Sequence, residues 1–268
     1  MDETNARRRS GLLPVRVGMG QMLVAAGQPE ANLERAATMA RRARADDCDM
    51  LVLPECLDVG WTSGTTASLA TPVPGPVSDE LARIAREHGL VLAAGMTERA
   101  DASVYNTALL FGPDGRLLLR HRKINEVAFA RRIYDQGTTL GVTDTPVGVV
   151  GLNICADNLP EAQELGLALA TMGADILLSP CSWAVRPEFD NTVTPYGADW
   201  VSSYRRIAGR TGTALIGVSN VGLIDGGDWD GWRCIGASLA VGPDGAVLAR
   251  GSFGERAEEL VVVEVSRA

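Results

Sequence analysis

Gly151-Leu-Asn-Ile-Cys-Ala-Asp-Asn-Leu-Pro-Glu161 joins the end of an apolar run to a Pro-Glu pair. The run Pro146–Cys155 has the length and the Val/Ile content of a buried strand. Pro160 and Glu161 have the chemistry of a helix start, because proline is pre-set for the first helical position and an acid suits the N-terminal dipole. The helix is read over Pro160–Met172, and a further apolar run, Asp175–Ser179, is a second strand. Strand, turn, helix and strand in close succession place this stretch in the α/β class. Cys155 falls where the first strand meets its turn. A thiol there is held by the sheet and faces the amides of the following turn, which suits a nucleophile beside a developing oxyanion. It equally fits a small buried hydrophobe.

Working outward, the same alternation continues in both directions. Strands are read at Val15–Met22, Met50–Leu53 and Leu90–Gly95, with helices at Glu30–Ala45 and Val77–His88. Tyr105–Phe111 and Arg116–Lys123 flank Gly112-Pro-Asp-Gly115, a turn sequence between two apolar runs and therefore a hairpin. Toward the C-terminus come a helix at Trp200–Arg210 and a strand at Ala214–Ser219. A second hairpin, Ala237–Val241 and Ala246–Arg250, turns at Gly242-Pro-Asp-Gly245, and Leu260–Val265 is the last strand. The repeated Gly-Pro-Asp-Gly is an internal echo of two pseudo-equivalent halves. Hairpins mixed with β-α units favour layered sheets with helices outside. Ser182–Ala198 is the longest loop, and a long loop in a compact domain is often functional.

The 268 residues are read as one domain, 13–268, behind a short mobile tail, 1–12. The tail has no apolar segment after its arginines, so it does not resemble a signal peptide. No apolar stretch is long enough for a membrane helix. A net charge of −8 argues against nucleic acid and anionic membranes as partners. Five scattered cysteines without a C-x-x-C pair fit a reducing cytoplasm. There are only two histidines, so a Ser-His-Asp triad, a Cys-His dyad or a His-rich metal site would have to use His88 or His121. His88 reads as the last turn of a helix and His121 lies in a basic strand. A base for Cys155 is then better sought among carboxylates.

Two such partners stand at strand ends. Glu55 follows Leu51-Val-Leu-Pro54, and burial at the mouth of a strand would raise its pKa toward neutrality. The other reading is a loop glutamate facing water. Lys123 ends the second strand of the first hairpin, where it could donate to an oxyanion or serve as an edge-strand gatekeeper.

Taken in order, Leu-Val-Leu-Pro-Glu55, Arg-His-Arg-Lys123, Gly-Leu-Asn-Ile-Cys155-Ala-Asp157 with Pro160-Glu161, and Gly173-Ala-Asp-Ile-Leu-Leu-Ser-Pro180 resemble the nitrilase, or carbon–nitrogen hydrolase, superfamily. The resemblance runs from about Val15 to Val265. Gln21, Asn32 and Tyr105-Asn106 add to it. It implies a four-layer α-β-β-α sandwich, two mixed sheets with outer helices, paired as a homodimer or higher homo-oligomer. It also implies a Glu-Lys-Cys site that needs no cofactor or metal. Glu55 would be the general base, Lys123 the oxyanion donor and Cys155 the nucleophile. Glu126 would be the further structural glutamate, the Ala156 amide a second oxyanion donor, and Asp157 a brace of the turn.

Two positions depart from the family pattern. Ala156 stands where an aromatic residue commonly follows the cysteine, and Leu159 where one often precedes Pro-Glu. Both should widen the pocket. Without the tryptophan of many nitrilases after the cysteine, an amidase or N-carbamoyl amidohydrolase is expected ahead of a nitrilase. Alternatives are an acyltransferase or amide-forming enzyme using the same thioester, and a non-catalytic scaffold or a glutaminase-like module feeding a separate subunit. The substrate would be a small amide, carbamoyl compound or nitrile. Trp183, Asn191 and Tyr196 of the long loop are candidates to touch it; Trp200, Trp229 and Trp232 also lie near loops. Cys181 reads as a packed neighbour.

Overall fold

The computed structural model describes residues 14–266, so the tail expected over 1–12 lies outside the described residues. The first sheet contains β1 (Val15–Gln21), β2 (Met50–Val52), β3 (Val91–Ala100), β4 (Ser103–Phe111), β5 (Leu117–Arg122) and β15 (Glu259–Val265), in the order β15-β1-β2-β3-β4-β5. The second contains β6 (Val142–Thr145), β7 (Gly148–Leu152), β8 (Ile176–Cys181), β10 (Ala214–Ser219), β13 (Leu239–Val241) and β14 (Val247–Arg250), in the order β14-β13-β10-β8-β7-β6. A small third sheet joins β9 (Ala184–Val185), β11 (Val221–Leu223) and β12 (Arg233–Ile235).

Side-chain alternation sorts the layers. Val17, Met19 and Ala93 of the first sheet meet Val150, Leu152, Ile176, Leu178 and Ile216 of the second in a central core. The residues between them point the other way. Leu51 and Leu92 pack under helices α1 (Pro29–Ala45) and α2 (Pro76–His88). Leu177 and Leu215 pack with Leu169 of α3 (Gln163–Thr171) and with Tyr204 and Ile207 of α4 (Ala198–Thr211). The result is the expected α-β-β-α sandwich.

The internal echo extends well beyond the turns. From β15 to β5 the pairings run antiparallel, parallel, parallel, antiparallel, antiparallel. From β6 to β14 they run in the same sequence. Both Gly-Pro-Asp-Gly turns put their last glycine, Gly115 and Gly245, at φ +80. In both, the aspartate accepts a backbone bond two residues on: Arg116 N to Asp114 Oδ1 at 3.0 Å, and Ala246 N to Asp244 Oδ1 at 2.9 Å. A register shift follows at the same place in each hairpin.

Two expectations need correction. The strand read as ending at Cys155 ends at Leu152, and Cys155 opens a one-turn 3-10 helix, Cys155–Asn158, from φ +41. A run of buried apolar residues does not distinguish a strand from the turn that leaves it. The helix read from Pro160 is a 3-10 turn, Pro160–Ala162, before α3 proper.

Candidate active site

Glu55, Lys123 and Cys155 line one cavity of about 130 Å³. Each arrives at the end of a strand. Glu55 stands in the turn after β2, where Gly95 of β3 lets the chain approach; a Cβ at Gly95 would lie 2.5 Å from the Glu55 Cα. Lys123 follows β5, held where its amide donates to the Asn106 carbonyl of β4 at 2.8 Å. Cys155 follows β7, with its amide donating to Ser179 Oγ of β8 at 3.0 Å. Its positive φ is uncommon for a side chain of this kind and stores backbone strain at the thiol.

The carboxylates and the lysine form a buried network. Lys123 Nζ donates to Glu55 Oε1 at 2.7 Å and pairs with Glu126 Oε2 at 3.3 Å. Asn106 Nδ2 donates to Glu55 Oε1 at 2.6 Å and to Glu126 Oε1 at 2.8 Å. Glu55 Oε2 is buried without a hydrogen-bond partner among the described residues. Burial works against the Lys123 ammonium, but Glu126 and Glu55 outweigh it and hold its pKa well above the ordinary value. Burial pushes Glu126 up despite Lys123. The Cys155 thiol is also pushed well up, first by its contact with the Cys181 thiol, then by burial and by the Glu55 charge, against the pull of Lys123. These influences favour the thiol over the thiolate, so a nucleophilic role for Cys155 would call for a base close by.

Asp157 ties two of these strand ends together. Its Oδ2 accepts the Ile154 amide at 3.0 Å and lies 2.9 Å from His121 Nε2. Its Oδ1 accepts the amides of Ile124 at 3.2 Å and Asn125 at 2.8 Å, next to Lys123. Behind the turn, Asn158 Nδ2 donates to Ser179 Oγ at 2.9 Å.

The walls of the cavity are aromatic. Trp183, Tyr196 and Trp200 line one side of the ring set, with Trp183 and Trp200 stacked at 5.1 Å. Trp61 and Trp229 also line it, packed edge to face at 5.2 Å. Ala156 and Leu159 lie in the lining, at the positions read as departures. Asn191 does not: its Oδ1 accepts the Tyr196 amide at 2.8 Å and faces an adjoining cavity. Trp232 stacks on Trp229 at 4.2 Å and is absent from the lining. Cys181 is buried and donates to the Ser179 carbonyl at 3.2 Å. The sequence reading passed over Trp61 and Val127. Among the described residues no group of three or more His, Cys, Asp or Glu is placed to hold a metal ion, and no helix is long and apolar enough to cross a membrane.

The family model for carbon-nitrogen hydrolase matches residues 16–268. The chain belongs to the carbon–nitrogen hydrolase family. Among its relatives within that family, omega-amidase NIT2-B of Xenopus laevis is 28% identical over 90% of this chain and 85% of its own length. The bifunctional nitrilase/nitrile hydratase NIT4A of Lupinus angustifolius is 28% identical over 89% of this chain and 75% of its own. The fold of this hydrolase is also that of a carbon-nitrogen hydrolase from Helicobacter pylori G27, with a TM-score of 0.81 at 22% identity, covering 94% of this chain and 89% of that one.

Proposed function

We propose that this carbon–nitrogen hydrolase cleaves small amides or N-carbamoyl compounds through a thioester on Cys155. Glu55 takes the thiol proton as sulfur attacks the carbonyl carbon. The oxyanion that forms is met by the Lys123 ammonium and the Ala156 amide. The C–N bond then breaks, and the departing nitrogen receives the proton held by Glu55. Water, deprotonated by the same carboxylate, attacks the thioester; the C–S bond breaks, the thiol recovers its proton and the carboxylic acid leaves. Ammonia or an amine is the other product.

The observation that carries this reading is the buried 2.7 Å contact of Lys123 with Glu55 in the same cavity as Cys155, with Glu55 Oε2 left free to accept a proton. A protonated thiol beside a carboxylate needs no histidine. Glu126 and Asn106 serve as positioning residues, since both bond to the reacting pair.

Ammonia release from a panel of amides, carbamoyl amino acids and nitriles tests the reading. Amides or carbamoyl compounds are expected to lead; a preference for nitriles would move the activity toward that of the lupin relative. Cys155→Ala should remove turnover while far-UV circular dichroism stays unchanged. Lys123→Met should lower kcat/KM by about 10²–10³-fold, the scale of one lost oxyanion donor. It should also cost about 3–5 kcal/mol in urea unfolding, because it strands Glu55 and Glu126 as buried charges. Undiminished hydrolysis by either variant would refute the role given to that side chain.

A further inference from the structure

We propose that the cavity around Cys155 selects amides whose acyl substituent is short, uncharged and apolar. This rests on the hydrolytic reading above and concerns what the same site admits.

Charge decides first. Among the described residues, the only charged side chains in the lining are Glu55 and Lys123. Lys123 is shared between the carboxylates of Glu55 and Glu126, and the proposed reaction gives it the oxyanion, so it is not available to a carboxylate on the acyl chain. The remaining polar groups are neutral. Tyr196 Oη accepts from Trp200 Nε1 at 3.0 Å, and Ser182 lies beside the Glu55 carbonyl at 3.5 Å. The indole N–H groups of Trp61 and Trp183 are buried without an acceptor among the described residues. They could meet a neutral carbonyl or ether oxygen, but they carry no charge to offset a carboxylate taken out of water. Arg250 lines the adjoining cavity, which shares Trp183, Tyr196 and Trp200 with this one but contains neither Cys155 nor Lys123.

Shape and size decide next. Val127, Leu159 and Ala184 join the five aromatic rings, so the surface a substrate meets is mostly hydrocarbon. Such a surface rewards apolar area. A volume of about 130 Å³ is close to that of an apolar protein cavity of ~150 Å³ that holds benzene. A short branched chain is on the scale of that space.

The test compares 4-methylpentanamide with succinamate, which differ in an isopropyl or a carboxylate end on the same chain. The neutral amide should be favoured in kcat/KM by about 100-fold or more, the scale set by burying an unpaired charge. Leu159→Arg, which puts a cation in the lining, should narrow that ratio by about 10-fold or more. Equal or better turnover of succinamate by the native chain overturns the inference while leaving hydrolysis intact. If neither amide releases ammonia, the hydrolytic reading falls, and selection is read from protection of Cys155 against iodoacetamide by peptide mass spectrometry. Protection by 4-methylpentanamide at much lower concentration than succinamate supports the inference. Equal protection by the two, or none by either, overturns it.

Discussion

Asn106 divides one amide group between two carboxylates, giving one N–H to Glu55 and the other to Glu126 while its oxygen receives the Cys56 thiol at 3.4 Å. Asn106→Asp would put a third carboxylate against the pair. Added negative charge raises the pKa of its neighbours, so the proposed base would stay protonated to higher pH. The acid limb of the pH–rate profile should move up, and kcat at pH 7 should fall by about 10²-fold. An unmoved limb would show that Asn106 does not act through the carboxylates. A second buried acid, Asp58, has a different task. Its two oxygens both accept the Thr97 amide at 3.1 Å, yet burial raises its pKa from 3.8 to about 6. The folded state therefore binds this proton more tightly than the unfolded chain. The stability it contributes is fully present below pH 3.8 and is lost as pH rises through 6. Asp58→Asn keeps an acceptor without the charge. It should flatten the stability change between those two pH values, measured by urea unfolding, by about 1–3 kcal/mol.

At the scale of elements, the site is a meeting of strand ends, and two devices fix the meeting. Gly95 lets β3 run against the Glu55 turn, where an added Cβ would strike backbone and not a movable side chain. Gly95→Ala should cost about 1–3 kcal/mol and lower kcat by about 10²-fold through a displaced Glu55, measured by unfolding and by steady-state kinetics on the same sample. Asp157 binds the Cys155 turn to the exit of β5. Asp157→Ala would leave three backbone amides and His121 without their acceptor, a loss of about 3–5 kcal/mol by thermal or urea unfolding.

These elements also show what a single chain discloses. β1, β10, α1 and α2 were readable because their apolar spacing is their own. β9, β11 and β12 were not, since two or three residues of mixed polarity become strands only when a partner lies alongside. Glu55, Lys123 and Cys155 were legible because each follows an apolar run in a recognisable order. Trp61 was not, for its place depends on Phe129 and Trp229, far along the chain. The turn at Cys155 was mistaken for strand because its neighbours are buried on both sides.

On the scale of the whole molecule, the resemblance to the nitrilase superfamily leads us to propose a paired assembly. Light scattering on the purified protein should return about twice the mass of one chain at micromolar concentration. A single-chain mass would count against pairing. Within each copy, the two sheets repeat one order of pairings, and residues that follow strands of both line the cavity. Glu55 and Lys123 follow strands of the first sheet and Asn106 lies within its β4; Cys155 and Asp157 follow β7 of the second and Ser179 lies within its β8. Cutting the backbone after Glu126 and before β6 would divide the proposed reacting set, Glu55 and Lys123 on one piece and Cys155 on the other, and each piece alone should be inert. Turnover regained on mixing would then count docked halves directly, making this hydrolase a complementation reporter whose signal is ammonia.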